Sequence, residues 1–244
     1  MAGHSKWSNI KNKKGKADAA RGKIFTKIGK EISIAAKGGS DPESNSKLRD
    51  AIAKAKSNNM PNDTIQRAIK RGAGELEDIS FEEIIYEGYA PSGVAVIVNT
   101  LTENRNRTAG DIRYIFDKNG GSLGSSGCVG WMFDKKGLII VEKQDSVDEE
   151  ELIMLALEAG AEDFISEEDS YEIYTDPSTF SDVRLKLEKD GIIMASAEVT
   201  MIPQNTVKVT IEDDVKRINK MFDMFDDNDD VQDFYHNAEL PEED

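Results

Sequence analysis

Between residues 16 and 37 the apolar side chains Ile24, Phe25, Ile28, Ile32 and Ala35 recur at three- and four-residue intervals. This spacing puts them on one face of a helix, and Gly38-Gly39 supplies its stop. Lys16, Lys23, Lys27, Lys30 and Lys37 fall on a different stripe, so one face is expected to pack while the other presents ammonium groups. Gly15, Gly22 and Gly29 recur every seven residues. An interior glycine costs about 0.5–1 kcal/mol relative to alanine, so the repeat predicts a close approach, by a neighbouring helix or by a phosphate backbone. Ser40-Asp41-Pro42-Glu43 reads as the start of a second helix, with Leu48, Ile52 and Ala55 inside and Lys47, Lys54 and Lys56 outside. Asn58 to Asn62 breaks it. A third helix carries Ile65, Ala68 and Ile69 inside and Arg67, Lys70 and Arg71 outside, with Gly72 beyond its end. The connection before it is longer than a helix-turn-helix turn, so no recognition helix is assigned.

Beyond residue 76 the period changes. Phe81 to Tyr89 and Val94 to Leu101 read as strands around the turn Ala90-Pro91-Ser92-Gly93. Asn104 or Thr102 caps a helix carrying Ile112, Ile115 and Phe116, and a strand through Val129, Trp131 and Phe133 follows a Gly-Gly turn. From Leu138 the order is strand, helix (about 147–159), two strands around Glu168-Asp169, helix (about 178–189) and strand (197–202). That βαββαβ order is the ferredoxin-like signature. A helix with Val215, Ile218, Met221, Phe222 and Phe225 and a strand over Val231 to Tyr235 are placed to rejoin the preceding domain.

Charge sharpens this division. The chain has 244 residues and a net charge of −16. Residues 1–72 hold 17 Lys and Arg against 6 Asp and Glu, a balance of +11, whereas the rest holds 14 against 41, or −27. A basic segment on an acidic body is the electrostatic footprint of a protein that meets nucleic acid at one end. The bland alternative is a solvated helix face. No apolar run is long enough to span a membrane, and a motif beginning at Gly3 leaves no room for a presequence, so a cytoplasmic setting is expected. The single cysteine, Cys128, fits a reducing compartment.

The candidate chemical motifs are incomplete. GGSLGSSG (residues 120–127) lacks the Lys-Ser/Thr ending of a phosphate-binding loop and precedes a strand, so a flexible connection is expected. Asp226, Asn228 and Asp230 have the opening spacing of a calcium loop, but Val231 and Asn237 stand where glycine and glutamate are needed. His4 and His236 lie at opposite ends without a cysteine cluster. His236 is read as structural, and Cys128 as buried rather than nucleophilic. Asn104-Arg105-Asn106-Arg107 offers two readings of equal weight: Arg105 and Arg107 reach phosphate, or the segment caps a helix and forms salt bridges. No cofactor is expected.

AGHSKWSNIK, KIFTKIGKEI, NNMPNDTIQRAIKRGAG, YEGYAPSGVAVIVNTLTENRNRT and GGSLGSSGCVGWMF together resemble the YebC family across essentially the full chain. That family includes bacterial proteins called probable transcriptional regulators and the mitochondrial translational activator of cytochrome c oxidase subunit I. The resemblance implies an α+β protein of three domains: an N-terminal helical bundle, a second α+β domain, and a ferredoxin-like domain inserted into the second. The expected boundaries are 1–76 for the basic bundle, 77–137 and 205–244 for the α+β domain, and 138–204 for the insertion. The implied function is a non-enzymatic, nucleic-acid-binding regulator of gene expression, acting on DNA or on ribosomal RNA, with the ribosome or another protein meeting the acidic body. Lys6, Lys11, Lys13, Lys14, Lys16, Arg21, Lys23, Lys27 and Lys30 are the phosphate candidates, joined by Arg105 and Arg107. Trp7 either stacks on a base or anchors the arm in the helical core. A protein-only adaptor and a small-molecule sensor using a cleft between the α+β domains stand as alternatives.

Overall fold

The computed structural model describes residues 17–76, 81–144 and 147–241, with side chains from residue 22 onward. The chain divides into two compact units, one built on Lys135–Ile202 and the other on Arg21–Asp134 together with the chain from Pro203.

The larger unit opens with three helices, α1 (Ala17–Ala36), α2 (Ser46–Ser57) and α3 (Asn62–Gly72). Their apolar stripes close a core of Ile28, Ile32, Leu48, Ala55, Met60, Ile65 and Ile69. Two expectations change here. Residues 41–44 form a turn, and α2 starts later, capped by Asn45, whose Oδ1 accepts the Leu48 N–H at 3.1 Å. The asparagine side chain satisfies one free amide of the first turn, which the proline three residues earlier does not. At two glycines of the α1 repeat no neighbouring helix comes close: a Cβ on Gly22 would meet nothing within 4 Å, and one on Gly29 only the Met60 methyl at 3.9 Å; Gly15 lies outside the described residues. The tight crossing is at Gly72, the last residue of α3, where a Cβ would lie 2.1 Å from the Ser33 carbonyl oxygen and 2.7 Å from the Ala36 Cβ. The Ser33 hydroxyl lies 3.0 Å from the Ala68 carbonyl oxygen across the same crossing.

The α+β part of this unit holds β1 (Glu82–Tyr89), β2 (Ala95–Thr102), α4 (Arg105–Lys118), β3 (Ser122–Leu123), and, after the insertion, β8 (Val207–Lys208), α7 (Glu212–Asp227), β9 (Val231–His236) and β10 (Ala238–Glu239). β1 and β2 form an antiparallel hairpin around Pro91–Gly93, and β9 pairs antiparallel with β2, giving the sheet order β3-β1-β2-β9. The chain beyond the insertion therefore completes the sheet begun before it. Val96 and Val98 project onto α4 and α7 through Ile112, Phe116, Ile218, Met221 and Phe225. His236 stacks on Phe222 with ring centroids 4.3 Å apart, a packing role. Residues 130–132 form a short 3-10 turn, so the strand expected through Val129 and Trp131 starts only at Phe133; the run Gly127-Cys128-Val129-Gly130 turns instead of extending.

The inserted unit is the expected βαββαβ: β4 (Phe133–Glu142), α5 (Glu149–Ala159), β5 (Asp163–Ser166), β6 (Ser170–Thr175), α6 (Phe180–Lys189) and β7 (Ser196–Pro203), with sheet order β5-β6-β4-β7. β6 runs antiparallel to both β4 and β5. Both helices cover one face, burying Leu152, Ala156, Val183 and Leu187 against Ile139, Val141, Tyr171 and Ile173. Alternation along each strand supplies that face, as the two-residue period requires.

Candidate nucleic-acid interface

Of the expected phosphate contacts, Lys6, Lys11, Lys13, Lys14 and Lys16 lie outside the described residues, as does Trp7; Arg21 is described only as backbone within α1. The lysine stripe of α1 is described from Lys23 onward, and it faces the protein. Lys23 Nζ stands 2.7 Å from Asp227 Oδ1, and Lys27 Nζ donates to the Asp226 carbonyl at 3.2 Å. Lys30 Nζ donates to Asp230 Oδ1 at 3.0 Å and to the carbonyls of Asp229 at 2.8 Å and Leu101 at 3.1 Å. Lys37 Nζ reaches the Phe81 carbonyl at 3.5 Å. The expectation that this stripe presents free ammonium groups is therefore corrected. The physical cause is the segment Asp226-Asp227-Asn228-Asp229-Asp230, which ends α7, where unpaired helix carbonyls and aligned peptide dipoles add negative potential to the carboxylates.

Asp230 is the centre of this joint. Its side chain is 8% exposed and that of Lys30 is 12% exposed, so the pair is close to dry. Its Oδ2 also accepts from Arg107 Nη2 at 2.7 Å and from the Thr108 hydroxyl at 2.9 Å. Burial pushes the carboxyl upward, but hydrogen bonds from Arg107, Lys30 and Thr108 outweigh it and hold Asp230 below the ordinary aspartate range. The spacing that suggested a calcium loop is thus occupied by lysines and an arginine of the same chain. Asn104 caps α4 by accepting the Arg107 N–H at 3.1 Å, and Arg105 pairs with Glu82 at 3.3 Å. The geometry of residues 104–107 is that of capping and salt bridging.

Other cations of the bundle point outward. Lys47 and Lys56 on α2 and Arg67 and Lys70 on α3 are exposed and make no hydrogen bond or ion pair among the described residues. Lys54, by contrast, is paired with Glu31 at 3.1 Å. Nothing in the apolar pattern separates the lysines that dock from those that stay free; the distinction arises only when α7 is placed beside α1.

The glycine-rich segment also departs from expectation. It is not a slack connection, because its continuation closes around a carboxylate. Glu87, 7% exposed on β1, accepts the backbone N–H groups of Gly127 at 2.7 Å, Val129 at 2.8 Å and Gly130 at 2.6 Å. Burial raises the Glu87 pKa, and the three amides more than reverse that, leaving it below the usual glutamate value. A concave array of backbone amides is an anion cradle, here filled by the protein's own side chain. Cys128 sits half-buried beside it. Burial, and then the Glu87 charge, push its thiol upward, the opposite of what a nucleophile needs. Sequence reasoning missed this cradle: the lone glutamate within IIYEGY, ahead of a glycine-rich loop, is a faint trace of it, and the amide donors leave none.

Models of the TACO1/YebC N-terminal domain and of the TACO1/YebC second and third domain match residues 5–75 and 81–238. A probable transcriptional regulatory protein of Clostridium acetobutylicum is 62% identical over 243 residues, covering 99% of this chain and 98% of that protein. One of Clostridium tetani is 60% identical over 244 residues, covering 100% and 99%. The solved structure of a conserved hypothetical protein from Aquifex aeolicus superposes with a TM-score of 0.83 at 48% identity, covering 93% of each chain.

Proposed function

Because the chain belongs to the TACO1/YebC family, we propose that it is a non-enzymatic, nucleic-acid-binding regulator of gene expression in the cytoplasm. The observation that carries this is the charge polarity: +11 over residues 1–72 against −27 over the remainder. Its relatives' name, probable transcriptional regulatory protein, supports a regulatory role. Lys6, Lys11, Lys13, Lys14, Lys16 and Arg21 supply the main phosphate contacts, and the free cations Lys56, Arg67 and Lys70 extend them. Lys30 takes no part, since its ammonium is already saturated by three oxygens. The acidic body repels polyanions and is suited to a protein partner.

The favoured target is structured RNA, including ribosomal RNA. The basic groups are dominated by lysine, which holds phosphate as a point charge, whereas reading of a duplex sequence rests on a few positioned arginine, asparagine or glutamine forks in a groove. Duplex DNA is the second reading, favoured by the relatives' name. Sedimentation through a sucrose gradient with and without RNase tests the choice: co-migration with ribosomal particles that RNase abolishes is expected. Selective capture of a promoter over scrambled DNA, with the protein staying at the top of the gradient, would replace RNA with DNA. Replacing Lys11, Lys13 and Lys14 by glutamate should abolish binding while the melting curve is unchanged. Raising salt from about 50 to 200 mM should weaken binding about 10³-fold or more if six or more phosphates are neutralised.

A further inference from the structure

The inserted unit buries one face of its sheet under its own two helices. The other face is set by the register. Leu138 stands opposite Tyr174, Ile140 opposite Glu172 and Glu142 opposite Ser170, while Asp163 and Ile165 flank Tyr174 and Glu172 from β5; residues directly opposite share a face. Ala195 and Ile202 pack with Leu138 and Ile140, and alternation back from Ile202 adds Glu198. Leu138 is 5% exposed, Ile140 0% and Glu172 3%, although both helices of the unit lie against the opposite face. Ser170 is fully buried as well, and its hydroxyl oxygen has no hydrogen-bond partner among the described residues. A buried central strand beside an unsatisfied hydroxyl calls for a covering segment that brings apolar area and a polar group together.

Charge and chain position identify that segment. Residues 135–202 hold 6 Lys and Arg against 18 Asp and Glu, and four of these acids, Glu142, Asp163, Glu172 and Glu198, belong to the face without helices. Lys136, which alternates onto the same side, is paired with Glu162 at 2.7 Å. Residues 1–16 carry 5 Lys and no acid, and among them the apolar Trp7 and Ile10 stand three positions apart. Residues 17–20, where the described residues begin, group with Lys135–Ile202. The chain before them reaches about 50 Å when extended, whereas a four-stranded sheet is about 15 Å across. A second copy of the inserted unit would bring the same acids to this face and be repelled.

We propose that the first ten residues form a strap over the helix-free face of the inserted unit's sheet, with Trp7 and Ile10 seated on Ile140 and Ile202. The lysines at 11, 13, 14 and 16 are then held between two fixed ends, the strap and α1, and meet phosphate at a smaller ordering cost than a free tail. That consequence rests on the nucleic-acid reading above; the strap itself does not. The test places the photo-crosslinker p-benzoylphenylalanine at position 7 of the full chain, in a mixture of unlabelled and ¹⁵N-labelled protein. Irradiation should join position 7 to peptides of β4 or β7 within one chain. Links to the bundle helices, links between labelled and unlabelled chains, or no link within the inserted unit would each overturn the strap. Trp7→Ala should weaken binding of single-stranded oligouridylate and of an abasic strand of equal length alike, by about 3-fold to 10-fold, because what is lost is order and not stacking. A loss confined to the strand with bases would overturn the strap and make Trp7 a stacking residue, and an unchanged affinity for both strands would overturn its part in binding. A full chain that binds neither RNA nor DNA would overturn the nucleic-acid reading, and the crosslinks would still decide the strap.

Discussion

Two carboxylates of the larger unit are buried and kept charged by opposite means. Asp230 is met by side-chain cations from two other elements, Lys30 of the bundle and Arg107 of α4. Glu87 is met by three backbone amides of a single loop. The first arrangement joins parts of the chain that are far apart in sequence and concentrates opposite charges in a nearly dry pocket. The second fixes the shape of one loop and needs no second charge. A charged joint fails abruptly when one partner is removed, because the other is stranded; an amide cradle fails by degrees.

The largest expected effect follows from that difference. Asp230→Ala leaves the Lys30 ammonium buried beside carbonyls without a counterion, and breaking a buried pair in this way costs about 3–5 kcal/mol. Urea unfolding of the variant should show it, with the loss in the transition of the larger unit. Adding Lys30→Met should restore a substantial part, since the stranded charge goes with it. A single variant as stable as the parent would mean the joint is solvated and contributes nothing.

Glu87→Gln is expected to cost less, about 1–3 kcal/mol, because an amide nearly preserves shape but turns one acceptor into a donor facing backbone N–H groups. Hydrogen exchange should accelerate at Gly127, Val129 and Gly130 before it changes in the bundle. Equal acceleration everywhere would show that the loop and the joint are one cooperative element.

The contrast between these residues also marks where sequence ceases to be informative. The helices of the bundle and the βαββαβ order were legible because each element has its own period and its own stop, and local signals survive in one dimension. The strand β9 was legible for the same reason, as was its return to the preceding domain; its place beside β2 was not. The fate of the α1 lysines was not, since a cation stripe looks the same whether it meets phosphate or the end of another helix, and Lys30 and Asp230 are separated by 200 positions. Glu87 was hidden more deeply: its partners are backbone amides, which every residue carries and no composition reports. The start of α2 was misplaced because proline at 42 and asparagine at 45 are both acceptable opening signals, and only the asparagine's hydrogen bond decides.

A smaller effect of the two buried carboxylates is spread over pH. Both have folded-state pKa values lowered by their partners. Their contribution to stability is therefore fully present above the ordinary carboxylate range of about 3.9–4.3 and is lost as pH falls through the depressed folded values. The stability difference between the parent and Glu87→Gln should accordingly shrink in acid, below about pH 4, and be flat above about pH 6. A difference that grew on acidification would contradict the depressed value and require a Glu87 that is protonated when folded.

The smallest effect is expected where the joint meets water. Lys23 and Asp227 stand 2.7 Å apart, as close as Arg107 and Asp230, but their side chains are 44% and 76% exposed. Water and salt screen such a pair, and two long side chains lose freedom in forming it, so the distance alone carries little stability. Asp227→Asn should leave the urea midpoint within error at any ionic strength, in contrast to Asp230→Ala. It should instead strengthen RNA binding modestly at low salt, because the Lys23 ammonium is released and a negative charge beside the basic bundle is removed, and this gain should vanish as salt rises. An unchanged affinity at low salt would show that Lys23 serves the joint alone and that the phosphate contacts of α1 end before it.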